Sequence, residues 1–223
     1  MTIDMECCAA HIITDQSVIN SQAARRGTVA RPRTIDQDDI LDAAEAVVVR
    51  DGAAQLTLDA VAMQAGISKA SVIYDYKSKQ QLIRAVIQRR VHKESERVQA
   101  ATAALGKTPN AAIRGLVAAA ADGPPDDLRA VAVNLVSALA HDAESRGIIE
   151  KAYERTIATL TEGSTNPRGA ILAFLALEGL KRLELHKLHP WSEAQRASIL
   201  QDIGWLVDAE QLRIPRDGPL DAG

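Results

Sequence analysis

Aromatic residues are scarce in this sequence, and their scarcity constrains the fold. Phe, Trp and Tyr make up 3% of the 223 residues, so one class of strong strand formers is nearly missing. Alanine, leucine and the long polar residues that favour helices are plentiful. Hydrophobic residues still amount to 47% of the chain, which is enough to bury a core without disulfides or metals. The composition therefore predicts an all-α protein.

Cysteine is nearly absent as well. The two cysteines, Cys7 and Cys8, are adjacent and cannot build a disulfide framework, so we expect a protein of the reducing cytoplasm. The two cysteines could sense redox changes or could be incidental thiols in a loose segment. The second interpretation is favoured because the chain has no further cysteine to resolve an oxidised form. The chain also lacks both a secretion signal and the run of about 18 apolar residues that a membrane span needs, so we expect no membrane partner.

Positive charge is concentrated in one segment. The whole chain has a net charge of −3, which argues against a generally basic nucleic-acid coat. Residues 25–93, however, contain twelve Lys and Arg against eight Asp and Glu, whereas residues 94–223 contain fourteen against eighteen. A basic module on an acidic body is typical of a protein that binds a polyanion.

Capping residues predict where the helices begin and end. The first helix is predicted from its cap Asp36 to Gly52, the second from Thr57 to Gly66, and the third from Ser68 to Tyr76. The fourth helix begins at its cap Ser78 and continues past Ala100. Glycine and proline breaks then predict further helices over residues 110–121, 126–142, 146–161, 168–187 and 192–209. This pattern makes about nine helices in all.

The segment from Leu56 to Tyr76 is predicted to form a helix-turn-helix. Gly66 can adopt the left-handed conformation that ends the second helix, Ile67 fills the angle between the helices, and Ser68 caps the third. The residues predicted to face the interior are Val61, Val72 and Ile73. The beginning of the third helix is then left exposed.

This exposed beginning carries side chains that suit the edges of DNA bases. A recognition helix places its N-terminal residues in the major groove. Lys can donate to guanine, Ser can donate or accept, and Ala can meet a thymine methyl group. The predicted contacts are Ser68, Lys69, Ala70, Ser71 and, one turn later, Tyr74.

Other residues are suited to backbone phosphates. Lys79 lies in the first turn of the fourth helix, where the helix dipole disfavours a cation unless an anion binds there. Free amides at that helix N-terminus can hold the same phosphate, and Thr57 can act likewise at the start of the second helix. Arg31 and Arg33 form either an arm that enters the minor groove or a solvated basic tail that adds salt-sensitive affinity.

The segment Leu56–Leu82, and above all Ala65–Leu82, resembles the DNA-binding signature of the TetR/AcrR family of helix-turn-helix transcriptional regulators. The turn, the cap, the aromatic end and the Ser-Lys that follows are all in register. Two positions depart from the family pattern: Ile73 stands where many members have a phosphate-touching tyrosine, and Asp75 where histidine or tyrosine is frequent. Tyr74 is placed to take over the first role. The resemblance implies a C-terminal helical domain that binds an inducer and forms a dimer.

Helix 126–142 is the predicted site of the ligand. It carries no charge over residues 130–140, so we expect protein on all sides of it. Polar side chains in such a helix need partners, either on neighbouring helices or on a bound small molecule. The polar residues that share one of its faces are Asn134, Ser137 and His141.

Helices 168–187 and 192–209 have wide apolar faces that one chain cannot easily cover. The family resemblance implies that they pack against their twins in a homodimer. Glu178 stands alone in the first of these apolar runs. Pairing with Arg182 one turn later is favoured for it, and contact with a cationic ligand is the alternative.

The predicted function is that of a ligand-responsive DNA-binding regulator, above all a repressor that a small molecule releases from a palindromic operator. The alternatives are a helical protein-interaction scaffold without sequence-specific DNA binding and a small helical enzyme. No catalytic, cofactor or metal-binding set is found, because the five histidines are scattered and no glycine-rich strand-to-helix turn occurs. The predicted divisions are a leader with a basic arm (1–33), a helix-turn-helix domain (34–88), a ligand-binding and dimerisation domain (89–212) and a tail (213–223).

Overall fold

The computed structural model describes residues 36–123, 129, 131–135 and 142–208, and the regular structure in these ranges is helical throughout. The helices are α1 (Gln37–Asp51), a 3-10 helix (Ala53–Gln55), α2 (Leu58–Ala65), α3 (Lys69–Asp75), α4 (Lys79–Ala104), α5 (Ala111–Ala119), α6 (Ala143–Glu162), α7 (Pro167–Leu185) and α8 (Glu193–Asp208). Residues 131–135 are helical too. The predicted all-α fold is confirmed. The predicted leader and tail, with Cys7, Cys8, Arg31 and Arg33, lie outside the described residues.

Side-chain caps set the starts of the first four helices, as the sequence predicts. The Asp36 carboxylate accepts from the amide of Asp38 at 3.2 Å, and the Thr57 hydroxyl oxygen accepts from Ala60 at 3.0 Å. Ser78 accepts from the amide of Gln81 at 3.2 Å. Each bond satisfies an amide that has no partner within its own helix.

The later helices agree with prediction less closely. α6 begins at Ala143 rather than at residue 146, because the Asp142 carboxylate caps it by accepting from the Ser145 amide at 3.0 Å. The same carboxylate accepts from the Arg84 guanidinium of α4 at 2.8 Å. The Arg84 and Ser145 hydrogen bonds hold the pKa of Asp142 far below its usual range. This ion pair therefore ties the start of α6 to α4.

The first core lies among α1, α2, α3 and the first half of α4. Its largest fully buried side chains are Ile40, Val47, Val48, Leu56, Val61, Val72, Leu82 and Val86. Val131 and Leu135, from the helical residues 131–135, also belong to this core. The C-terminal half of the chain thus contributes apolar side chains to the helix-turn-helix core.

The second core lies among α5, α6, α7 and α8, and its fully buried members are Ile113, Leu160, Ala170, Ala173 and Leu177. α5 crosses α4 closely at Gly115. A Cβ atom added there would lie 1.9 Å from the Thr102 hydroxyl oxygen and 2.9 Å from the Thr102 Cα. α4 runs unbroken through Ala104, so the predicted division at residue 88 falls inside a helix and remains a prediction.

Candidate nucleic-acid interface

A tight turn joins α2 to α3. Gly66 ends α2 in the left-handed conformation, with φ of 67°, and its amide donates to the carbonyls of the last turn. The Ile67 amide donates to the Ala62 carbonyl at 3.0 Å. The Ser68 hydroxyl oxygen then caps α3 by accepting from the Ser71 amide at 3.1 Å. These contacts hold the two helices at a defined angle.

The rear of α3 is held in the first core. Val72 is fully buried, as is Val61 of α2, in agreement with the prediction. The prediction for Ile73 is wrong, because 38% of this side chain is exposed. In a helix of two turns the face opposite the core must be exposed, and Ile73 lies one residue beyond the buried position.

The leading edge of α3 is open to solvent. Lys69, Ala70 and Tyr74 are exposed, Tyr74 to 71%, and Ser71 is half-buried. The hydroxyl oxygens of Ser68 and Ser71 lie 2.8 Å apart and share a hydrogen bond. The predicted base contacts therefore form one accessible edge, whose two hydroxyl groups are already oriented by each other.

The ammonium group of Lys69 is held by a carboxylate. Its ammonium nitrogen donates to the carboxylate of Asp59, in the first turn of α2, at 2.8 Å. The sequence analysis did not include Asp59 in the interface, since nothing local links residues ten positions apart on different helices. Its place beside Lys69 follows from the angle between α2 and α3.

Lys79, at the start of α4, donates to the carbonyl of Ala54 at 2.6 Å. Ala54 lies in the 3-10 helix that leads to Thr57, so Lys79 sits beside the entry to α2. A groove of about 610 Å³ also opens at this entry, and Thr57, Ala60 and Met63 form part of its wall. Thr57 and Lys79, two of the residues predicted to bind phosphates, are thus placed close to one short segment of backbone.

Two further residues organise the end of α3. Lys77 donates to the Tyr74 carbonyl at 3.0 Å, and its ammonium nitrogen lies 5.6 Å from the centre of the Tyr74 ring. Asp75 accepts from the Gln37 amide group of α1 at 3.2 Å. Asp75 is therefore turned toward α1, and Lys77 is a cation at the interface that the sequence analysis missed.

Sequence comparison places this arrangement among known regulators. Residues 40–86 match the family model for bacterial regulatory proteins of the tetR family, and residues 110–208 match the tetracyclin repressor-like C-terminal domain. The two matches together cover more than half of the chain. The chain belongs to the TetR family. No curated protein matches it in sequence.

Solved structures show the same TetR-family fold. A TetR-family member from Streptomyces coelicolor A3 has a TM-score of 0.63 at 21% identity, with 76% of this chain and 96% of that one covered. A transcriptional regulator from Rhodococcus sp. Rha1 has a TM-score of 0.62 at 20% identity, with 77% and 95% covered. The multidrug binding protein EbrR, complexed with imidazole, has a TM-score of 0.61 at 21% identity, with 79% and 97% covered.

In the C-terminal half of this TetR-family chain, Asn134 contacts the helix-turn-helix core. Its amide nitrogen donates to the Val48 carbonyl near the end of α1 at 3.3 Å. Its amide oxygen lies 3.5 Å from where a Cβ on Gly52 would be. Of the alternatives left open for Asn134, the structure shows a bond to a neighbouring helix. Ser137 and His141, predicted with it, lie outside the described residues.

Glu178 of α7 lies in a half-buried polar cluster. It accepts from the Tyr153 hydroxyl at 2.7 Å and pairs with Lys181 at 2.9 Å. The predicted pairing with Arg182 is corrected: Arg182 reaches the Tyr153 hydroxyl at 3.4 Å, and the residue one position earlier takes the carboxylate. Burial opposes ionisation, but Lys181, Tyr153 and Arg182 together hold the pKa of Glu178 below its ordinary value.

α7 and α8 expose apolar side chains. The large hydrophobic residues that are at least a third exposed on these helices are Leu172, Leu175, Leu183 and Trp205. The opposite faces of both helices are buried in the second core. None of the helices that the structure describes is long and apolar enough to span a bilayer. Exposed apolar faces are frequent at contacts between proteins.

Proposed function

We propose that this chain is a dimeric transcriptional repressor that binds a palindromic operator through α3, and that a small molecule releases it from the operator. The observation that supports this proposal is the contrast between the two faces of α3. Its rear is clamped by the fully buried Val72, whereas Lys69, Ala70 and Tyr74 are presented to solvent. A short helix held in this way can enter a major groove without rearrangement.

The base contacts and the phosphate contacts have different chemistry. Lys69 donates to guanine, Ala70 meets a thymine methyl group, and the hydroxyls of Ser68 and Ser71 bind base edges or the adjacent backbone. Thr57, Tyr74 and Lys79 hold phosphates, since the first and last stand at helix N-termini whose amides favour an anion. Phosphate contacts then fix the register in which α3 reads the bases.

Arg31 and Arg33 belong to this proposal as a minor-groove arm. Gln37 of α1 reaches Asp75 at the end of α3, so the first residues of α1 lie beside the proposed DNA surface. Arginine favours the negative potential of a narrow minor groove.

The dimer is proposed to form through α7 and α8, the helices predicted over residues 168–187 and 192–209. Leu172, Leu175 and Trp205 supply the exposed apolar area. We call this α7–α8 contact the seam. A two-fold axis through the seam would present two copies of α3 to two half-sites of one palindrome. The spacing of the half-sites then reports the distance between the two helix-turn-helix units.

The effector is proposed to bind in the C-terminal helical domain. The polar side chains available to it are Asn134, Ser137, His141 and Glu178. EbrR, which shares this fold, has been solved with imidazole and with malachite green, and this supports a small-molecule effector for this chain. Such a regulator acts in the bacterial cytoplasm.

Release of the operator follows from linkage. The dimer is proposed to exist in a DNA-competent form and in a form whose two copies of α3 lie too far apart for the operator. An effector shifts the balance between these forms only by the difference between its affinities for them. Asn134 and the buried Val131 connect the effector region to α1 and its core. A ligand that moves this segment therefore changes the position of α3.

The deciding experiment is selection of bound fragments from random duplex DNA, followed by sequencing. We expect enrichment of an inverted repeat, and a reporter promoter carrying that repeat should be repressed when the protein is present. Recovery without any enriched sequence would favour the helical protein-interaction scaffold and contradict the operator proposal. Higher reporter expression would make the protein an activator.

A further inference from the structure

Asp59 and Lys69 form an ion pair across the helix-turn-helix. Asp59 is the second residue of α2 and Lys69 the first residue of α3. The Lys69 ammonium nitrogen lies 2.8 Å from the Asp59 carboxylate, and the two side chains are 53% and 64% exposed. The pair therefore lies at the surface that the proposed function assigns to DNA.

Stability does not account for this pair. An exposed ion pair contributes little to folding because water and salt screen it. Lys69 also stands at a helix N-terminus, where the helix dipole disfavours a cation. On a surface that binds a polyanion, the Asp59 carboxylate moreover repels phosphate. Asp59 suits the dipole at the start of α2, so Lys69 is the residue whose charge needs a partner, and the pair neutralises it.

We propose that Asp59 is a specificity-determining residue of the interface. This inference rests on the proposed function: Asp59 neutralises Lys69 toward the backbone of arbitrary DNA and leaves it able to donate to an uncharged base-edge acceptor. A phosphate offers Lys69 one ionic contact in exchange for another and brings its charge close to Asp59. The O6 and N7 acceptors of guanine bring no net charge, so the Asp59 pairing can persist while Lys69 reads the base.

Lys79 and Lys69 would therefore have different roles in DNA binding. Lys79 donates to an uncharged carbonyl, so its charge adds to the attraction for any DNA. Lys69 is held by a carboxylate and adds selectivity instead. A penalty against wrong sequences raises specificity without raising affinity for the right one.

The test compares Asp59→Asn with a matched control, Asp42→Asn. Asp42 carries a carboxylate of similar exposure, 66%, on α1, but its partner is Arg89 of α4 rather than a residue of α3. Both variants change the net charge equally. Binding of the full-length protein to its selected operator and to a random-sequence duplex is measured over a range of salt concentrations.

For Asp59→Asn we expect random-duplex affinity to rise about three- to tenfold at low salt, with a salt slope steeper by about one per protomer. The ratio of operator to random affinity should fall, and Asp42→Asn should show neither effect. In a Lys69→Gln background the Asp59→Asn gain should shrink to that of the control. Lys69→Gln alone should lower selectivity and leave the random-duplex slope unchanged.

The outcomes separate the two proposals. If the wild type prefers its operator and Asp59→Asn behaves like Asp42→Asn, this inference is overturned and the proposed function stands. If the wild type binds operator and random duplex equally, both are overturned.

Discussion

At the scale of single residues, Lys79 is proposed to contact phosphate and so to attract DNA of any sequence. It stands at the N-terminus of α4 and donates to the Ala54 carbonyl. Lys79→Ala should weaken binding to operator and random DNA alike and flatten the salt dependence by about one unit of slope per protomer. Fluorescence anisotropy at several salt concentrations measures both quantities.

The matched control is Lys93→Ala, which removes an exposed lysine from the same helix about four turns later. An unchanged slope for Lys79→Ala, or an equal change for Lys93→Ala, would remove Lys79 from the phosphate contacts. Thermal unfolding of each variant reports any loss of stability separately.

Tyr153 provides a second residue-scale prediction, on stability against pH. Burial, and then the charge of Glu178, raise the pKa of Tyr153 to about 12. An unfolded tyrosine ionises near pH 10, so the folded state holds this proton more tightly. The stability that this contributes is fully present below about pH 10 and is lost as the pH rises toward the folded pKa.

Tyr153→Phe removes this hydroxyl and its bond to Glu178. We expect a loss of about 1 kcal/mol in the free energy of unfolding near neutral pH. The difference between wild type and variant should shrink above about pH 10. Urea unfolding at a series of pH values measures this difference, with Tyr74→Phe as the matched control. A difference that stays constant through the alkaline range would contradict the assignment.

At the scale of helices, the crossing of α4 and α5 depends on Gly115. Because a Cβ there would meet the Thr102 backbone at 2.9 Å, Gly115→Ala must push the helices apart. We expect a loss of about 1 to 3 kcal/mol in the free energy of unfolding, the usual range for overpacking.

Gly147 of α6 is the control for this prediction, because an added Cβ there meets nothing within 4 Å. Gly147→Ala should stabilise the protein by about 0.5 to 1 kcal/mol through helix propensity alone. Urea denaturation of both variants tests the pair. Equal effects of the two substitutions would show that α4 and α5 do not pack closely at Gly115.

At the scale of the whole molecule, the exposed faces of α7 and α8 predict the oligomeric state. Trp205 is 61% exposed although its helix contributes Ile203 and Val207 to the core. Trp205→Glu should convert the dimer to a monomer and reduce operator affinity, because a monomer contacts only one half-site. Light scattering gives the mass, and the same preparation is titrated with operator.

Ile157→Glu is the control, since Ile157 is an exposed apolar residue of α6, outside the proposed seam. A dimer that survives Trp205→Glu unchanged would move the seam elsewhere on the molecule. Loss of the dimer in both variants would point to general destabilisation, which circular dichroism would reveal.

Local signals accounted for much of this fold. Asp36, Thr57, Ser68 and Ser78 cap the helices that they were predicted to cap, because a cap bonds to amides two or three residues away. Gly66 ends α2 for an equally local reason, its freedom to adopt a positive φ. The helix-turn-helix and its family follow from these short-range features.

Contacts between distant residues escaped prediction. Glu178 pairs with Lys181, and Arg182 lies 3.4 Å from the hydroxyl of Tyr153, which belongs to another helix. Ile73 is exposed because Val72 is the residue of α3 that faces the first core, and Ile73 lies one position further round the helix. Neither outcome can be derived from one helix, since each depends on what a neighbouring helix supplies.

The sequence by itself determined the first four helices, their caps and the residues that lie on the leading edge of α3, because all of these depend on interactions within one or two helical turns. Only the tertiary structure decided that Asp59 holds Lys69, that Lys79 meets Ala54 and that Asn134 reaches Val48. These pairs depend on the angles between packed helices, which are set by the shapes of the buried side chains over the whole core.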